Sequence, residues 1–140
     1  CILELWDDAR ADAKKAEREI ARRGQRSPLH GLPVGLKDII DLAGTPTTCH
    51  SKILLDNVKT ADAAVVAQLR AAGAVFPAKL STHEFAIGGP AFDLPLPPAR
   101  NPRDTAPHPG GSPSGPGAAA STGAAGWPTG AGPAGVAASG

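Results

Sequence analysis

Apolar residues recur at helical spacing from the start of the chain: Ile2, Leu5, Trp6, Ala9, Ala13, Ala16 and Ile20, with charges between them. That period predicts an amphipathic helix over 2–23. Arg22 and Arg23 suit its C-terminal end, and Gly24 is a stop. A turn-rich link, 25–31, leads to the run HGLPVGLKDIID, whose apolar, partly β-branched character predicts a buried strand at about 32–40. Gly44, Pro46 and several threonines then make a loop. Thr60 is a candidate N-cap for a helix at about 61–72, with Asp62 in its first turn and Val65, Val66, Leu69 and Ala72 as its apolar stripe. AVFPAKL, 74–80, reads as a second strand, with Pro77 as a blemish. STHE, 81–84, has the form of a capping box, in which Ser81 caps a short helix through Ile87 and Glu84 reaches back. Strand, helix and strand at this spacing predict a right-handed crossover in an α/β sheet.

After Ala91 the pattern dissolves. DLPLPPARNP is too rich in proline for a central strand or a helix. From residue 109 onward nearly every position is Gly, Ala, Pro or Ser. Such a tail has little to bury against the entropy of ordering it, and disorder is expected if it stands alone. Two parts are therefore expected: 1–117 as the folded part and 118–140 as a disordered tail.

The chain has 140 residues, a formal net charge of +1, and no methionine. Its length allows one domain with a modest core. A chain that opens on Cys1 is expected to be a fragment or a processed piece. Basic residues are not massed over a broad surface, so direct nucleic-acid binding is not expected. No apolar run approaches the ~20 residues of a membrane span. Cys1 and Cys49 make neither a disulfide framework nor a zinc site, and the expected setting is cytoplasmic, with free thiols and no cofactor or metal.

Candidate chemistry centres on Lys37. Strand alternation puts Leu32, Val34 and Leu36 on one face, and Pro33, Gly35 and Lys37 on the other, where small neighbours leave room beside the amine. A desolvated lysine loses its charge more readily and can then serve as a base. The plainer alternative is a strand-end lysine that reaches water or pairs with Asp38 or Asp41. PHPGGSPSGPG, 107–117, could place the Ser112 and Ser114 hydroxyls and backbone N–H groups around an anion or a carbonyl. It lacks the Gly-Lys-Ser/Thr ending of a phosphate-binding loop, and a flexible linker is the commoner meaning. His83-Glu84 begins like a zinc-protease motif, but Ile87 stands where the second histidine belongs. Cys49 and His50 are adjacent only in sequence, which makes no thiol–imidazole pair. His30 and His108 have no evident partner.

Taken together, SPLHGLPVGLKDIID, GTPTTCHSKIL, DAAVVAQLRAAGAV, KLSTHEFAIGGPAFDLPLPPARNP and PGGSPSG resemble the amidase signature family, from about residue 27 to 117. The resemblance implies a mixed sheet sandwiched between helices. It also implies a Ser–Ser–Lys triad in which Lys37 is the base and Ser112, supported by Gly110 and Gly111, is the bridging serine. In that family the neutral lysine takes the bridging serine's proton, and the bridging serine deprotonates a nucleophilic serine that attacks an amide carbonyl. A hydroxyl is a weak nucleophile until a base activates it.

The chain departs from the pattern further on. The family's spacing, counted from Ser112, reaches Val136, where the local sequence is GAGPAGVAAS and no Gly-Gly-Ser is found; Ser139 comes three residues late. The oxyanion-hole segment is likewise not identifiable. Pro113 and Pro116 replace residues that are usually Ser or Gly, and Pro113 restricts Ser112 to extended geometry. The chain is thus expected to be the N-terminal third of an amidase, inactive by itself, with a tail altered by a shift of reading frame. The resemblance leaves three roles open. One is an amidase that converts a small carboxamide to acid and ammonia. Another is the glutaminase component of a tRNA-dependent amidotransferase, working with partner subunits. The third is a non-catalytic remnant.

Overall fold

The computed structural model describes residues 1–88, 93, 96, 98–102 and 114–122, and the backbone of 127–129. The order of elements is β1 (Ile2–Leu5), α1 (Asp8–Arg23), β2 (Val34–Lys37), α2 (Ala64–Ala71), β3 (Ala78–Leu80), α3 (Ser114–Ser121) and β4 (Trp127–Thr129), with 3-10 turns at Lys52–Leu54 and Glu84–Ala86. The strands form a mixed four-stranded sheet in the order β1-β3-β2-β4. The fold is α/β, as the sequence pattern predicts.

β2 pairs parallel with β3 on one side and with β4 on the other, while β1 runs antiparallel along the outer edge of β3. The parallel β2–α2–β3 unit is the predicted crossover. β2 is buried along its whole length, as a strand covered on both faces must be. One face carries Val34 and Leu36 into a core with Leu42, Val66 and Phe76. The other carries Ala78 and Leu80 against Ala119 of α3.

Several elements are shorter than periodicity predicts. The first helix starts at Asp8, because residues 2–5 form an edge strand instead. The backbone of this segment is tied to β3 and its flanks: Ser81 N donates to Cys1 O at 2.8 Å, and Trp6 N to Pro77 O at 3.0 Å. Pairing along a sheet edge outweighs a helical stripe that would have buried only one turn more. β2 ends at Lys37, where Ile39 N and Ile40 N both fold back to Lys37 O. α2 begins at Ala64, with no side-chain cap, so Thr60 is not its N-cap. Asp62 instead accepts from Ala43 N and Arg70 Nε, both at 2.9 Å. The capping box at 81–84 does not form: the turn begins after His83, and the buried Ser81 Oγ has no hydrogen-bond partner among the described residues.

The expected boundary at residue 117 falls inside α3, and β4 lies within the segment beyond it. The rest of that segment, 123–126 and 130–140, lies outside the described residues. Among the described residues no helix is long and apolar enough to cross a membrane.

Candidate active site

β2 and β3 each bring a lysine into the interior. Lys37 is 1% exposed and Lys79 is 2% exposed. The register pairs Leu36 with Lys79 and Lys37 with Leu80. Paired residues of parallel strands share a face. Lys37 therefore lies on the Leu80 face, under α3, and Lys79 lies on the Val34/Leu36 face.

Both carboxylates next to Lys37 in sequence face another lysine. The burial of Lys37 rules out a head that snorkels to water. Asp41 has Lys59 at 3.6 Å, and Asp38 has Lys79 at 3.8 Å. The Lys-Asp dipeptide is thus split across the sheet, Lys37 on one face and Asp38, in phase with Leu36, on the other. Burial pushes the Lys37 amine below the ordinary lysine value. A buried amine whose charged form is disfavoured is suited to accept a proton from a neighbouring hydroxyl.

α3 covers this face with small residues. Ser114, Gly115, Pro116, Ala118 and Ala119 are all buried. Gly115 N donates to Ser81 O at 3.2 Å. A Cβ on Gly115 would lie 2.3 Å from that oxygen and 2.6 Å from Ser81 N, so only glycine lets the helix start sit this close to the end of β3. Ser112, Gly110, Gly111, Pro113, His108 and Val136 lie outside the described residues.

Behind the sheet end, Asp38 organises a loop. Its carboxylate accepts from Thr48 N at 3.1 Å, from His50 N at 3.2 Å and from the Thr48 hydroxyl. Cys49 N donates to Asp38 O at 2.9 Å. Cys49 and His50 are both in the left-handed region, with φ of 51° and 59°, as are Phe85 and Ala86, with φ of 48° and 60°. Non-glycine residues hold that conformation only where their surroundings impose it. Phe85 N donates to Cys49 O at 2.9 Å and so ties the two left-handed pairs together. Burial and the nearby Asp38 and Asp41 push the Cys49 thiol up, away from thiolate chemistry. His50 Nε2 donates to Leu96 O at 2.9 Å. His30 stands 3.3 Å from Glu19 and anchors the end of α1. Among the described residues no three His, Cys, Asp or Glu side chains gather as a metal site.

Sequence reasoning missed Lys79 and Gly115. The signal for Lys79 was present, since AKL is a lysine inside an apolar strand just as GLK is. Gly115 was hidden because glycine in a Gly/Ser/Pro run reads first as a linker.

The family model described as amidase matches residues 1–133. The chain is 44% identical over 119 residues to the A subunit of the glutamyl-tRNA(Gln) amidotransferase of Roseiflexus sp. (strain RS-1), a match that covers 85% of this chain and 24% of that protein. Its structure resembles the native peptide amidase of Stenotrophomonas maltophilia, with a TM-score of 0.75 and 34% identity over 89% of this chain and 26% of that one. It also resembles the A subunit of the glutamyl-tRNA(Gln) amidotransferase of Thermotoga maritima, with a TM-score of 0.67 and 30% identity over 85% of this chain and 30% of that one. The chain thus spans about a quarter of the length of the curated relatives it matches. With the family match running almost end to end and the buried β2 lysine in place, this chain belongs to the amidase family.

Proposed function

We propose that this chain carries the base of an amide-hydrolysing site, in which Lys37 takes a proton from Ser112 and Ser112 relays one from a nucleophilic serine. The observation that carries the reading is Lys37 itself: 1% exposed, lowered in basicity by burial, and facing the sheet side that α3 covers. α3 begins two residues after Ser112 and is held against Ser81 by the Gly115 contact. The nucleophile has no counterpart at the position the family spacing reaches, Val136, so the 140-residue chain by itself is inactive on simple amides.

The test is a chimera in which 1–117 replaces the matching part of the peptide amidase or of the amidotransferase relative. Lys37→Ala and Ser112→Ala should each lower kcat/KM by roughly 10²–10⁴-fold, the range of a positioned base. Parent-level rates in both variants would remove the assignment. Turnover by the 140-residue chain alone that vanished in Lys37→Ala would overturn the expectation of inactivity.

A second reading is favoured by the 44% identity to the amidotransferase relative. In it the amide is glutamine, the released ammonia goes to a charged tRNA, and partner subunits complete the enzyme. A chimera active on glutamine and dependent on partner subunits supports it. One active on peptide amides without partners supports the stand-alone amidase.

A further inference from the structure

α1 carries a charge arrangement that amide hydrolysis does not use. Residues 10–26 hold seven of the chain's 14 lysines and arginines but only three of its 13 acidic residues, a net +4 that leaves the other residues at −3. The inner side of the helix is apolar: Ala16 is buried, and Ala16 and Ile20 turn toward Gly31. Four-residue steps put Lys14, Arg18 and Arg22 on the opposite side, about 6 Å apart along the axis. All three are exposed, and none forms an ion pair among the described residues. Glu19, on the flank of this ridge, is taken by Arg26 and faces His30 at 3.3 Å. Arg18 and Arg22 line a shallow cleft of about 290 Å³ with Lys15, Glu19 and Arg23. Arg18 is the telling residue. Its helix neighbours three and four positions away are Lys14, Lys15, Ala21 and Arg22, with no acid among them. Like charges four apart destabilise a helix, and here two such pairs follow one another.

We infer that the Lys14–Arg18–Arg22 ridge is a docking surface for a short acidic helix of a protein partner, one with Glu or Asp in matching four-residue steps. Such a helix meets each cation with a carboxylate, and in doing so removes the repulsion that α1 carries alone. RNA fits the ridge less well. The ridge is about 12 Å long, and a strand continuing past it meets a molecule whose other residues carry −3. A short acidic segment ends where the basic ridge ends. The inference does not depend on the role proposed for Lys37, since no residue of the ridge belongs to that site.

The test mixes the isotope-labelled full chain with a synthetic alanine-rich helical peptide carrying Glu in four-residue steps, with its Gln counterpart, and with a tRNA transcript. The Glu peptide should shift the backbone amides of 14–23 and leave those of α2 in place. Raising salt from ~20 to ~200 mM should weaken it by about 5-fold or more as the charges are screened, and the Gln peptide should not bind. Arg18→Glu should weaken the Glu peptide by about 10-fold and Arg18→Gln by about 3-fold, the scale of one exposed ion pair lost or reversed. Lys52→Glu makes the same change of net charge at an exposed turn away from the ridge and should leave binding within about 2-fold of wild type. Equal losses in Arg18→Glu and Lys52→Glu would reduce the effect to net charge and overturn the inference. So would no binding of the Glu peptide, equal binding of the Gln peptide, or tighter binding of the tRNA transcript to the same amides at ~200 mM salt. If Arg18→Glu does not fold, the comparison of Arg18→Gln with Lys52→Gln decides in the same way.

Discussion

The two faces of the sheet are packed by different means. On the α2 side, Val34 and Leu36 meet Val66, Phe76 and Leu42, with Trp6, Ile40 and Leu69 around them. On the α3 side, among the described residues, Ala78 and Leu80 meet Ala119. The first face is filled by large side chains, and its stability comes from area removed from water. The second is filled by backbone brought close: a helix of glycine, alanine, serine and proline laid against the strand that carries Lys37. The difference teaches where chemistry has room. The bulky face confines its buried polar groups, Lys79 and Asp38, to the strand ends, while the other face lays the small residues of α3 over the side of the sheet that carries Lys37.

The comparison is broken most forcefully from the bulky side. Phe76 is 7% exposed, sits in the main cluster and has the Arg70 guanidinium 5.2 Å from its ring centre. Phe76→Ala should cost about 3–5 kcal/mol, a large part of the ~5–15 kcal/mol that a domain possesses. Denaturant unfolding should show this as a lower midpoint. A loss below about 1 kcal/mol would mean that this cluster is not the core.

Gly115→Ala attacks the other face. The new methyl would meet the Ser81 backbone, which has no flexible end to swing aside, so α3 must shift. Overpacking of this kind costs about 1–3 kcal/mol. Its mark should be local: amide hydrogen exchange should rise in α3 and in the 81–83 segment while α2 stays protected. An equal rise in α2 would show that the faces are not separately held.

How far these faces were legible in the sequence follows the same division. The α2 side was readable, since Val66 and Leu69 recur at helical spacing and Val34 and Leu36 alternate, and both signals come from large apolar side chains; Val65, placed on the same stripe, is 44% exposed instead. The α3 side was not, because small residues carry no periodicity and 114–121 reads as linker. At the N-terminus the period misled: Ile2 and Leu5 fit a helical stripe, but the free edge of β3 offers that backbone hydrogen bonds that a sequence pattern does not register. Lys37 was found because a lysine among apolar neighbours is conspicuous. Its separation from Asp38 needed the third dimension, because only the strand register shows that Lys79 comes to Asp38 from the next strand.

The smallest effect is electrostatic and sharpens the contrast further. On the α2 side, Asp62 holds Arg70 in the last turn of the helix and accepts from Ala43 N, and the Arg70 hydrogen bond keeps its carboxyl below the ordinary 3.8, against the opposing effect of burial. A carboxylate whose folded value is depressed contributes stability above its unfolded value, and that contribution is lost as pH falls through the folded one. The loss therefore begins near pH ~4 and grows below it. Arg70 is 52% exposed, so solvent screens the pair and its worth is about 0.5–1 kcal/mol. Asp62→Asn should lower Tm slightly at neutral pH and flatten the decline of Tm below pH ~4. α3 offers acid no such handle, since 114–121 holds no titratable group. Hydrogen exchange followed from pH ~5 to ~3 should therefore show α2 loosening before α3 in the wild type and together with it in Asp62→Asn, because α2 is held by a carboxylate that acid neutralises and α3 itself carries none.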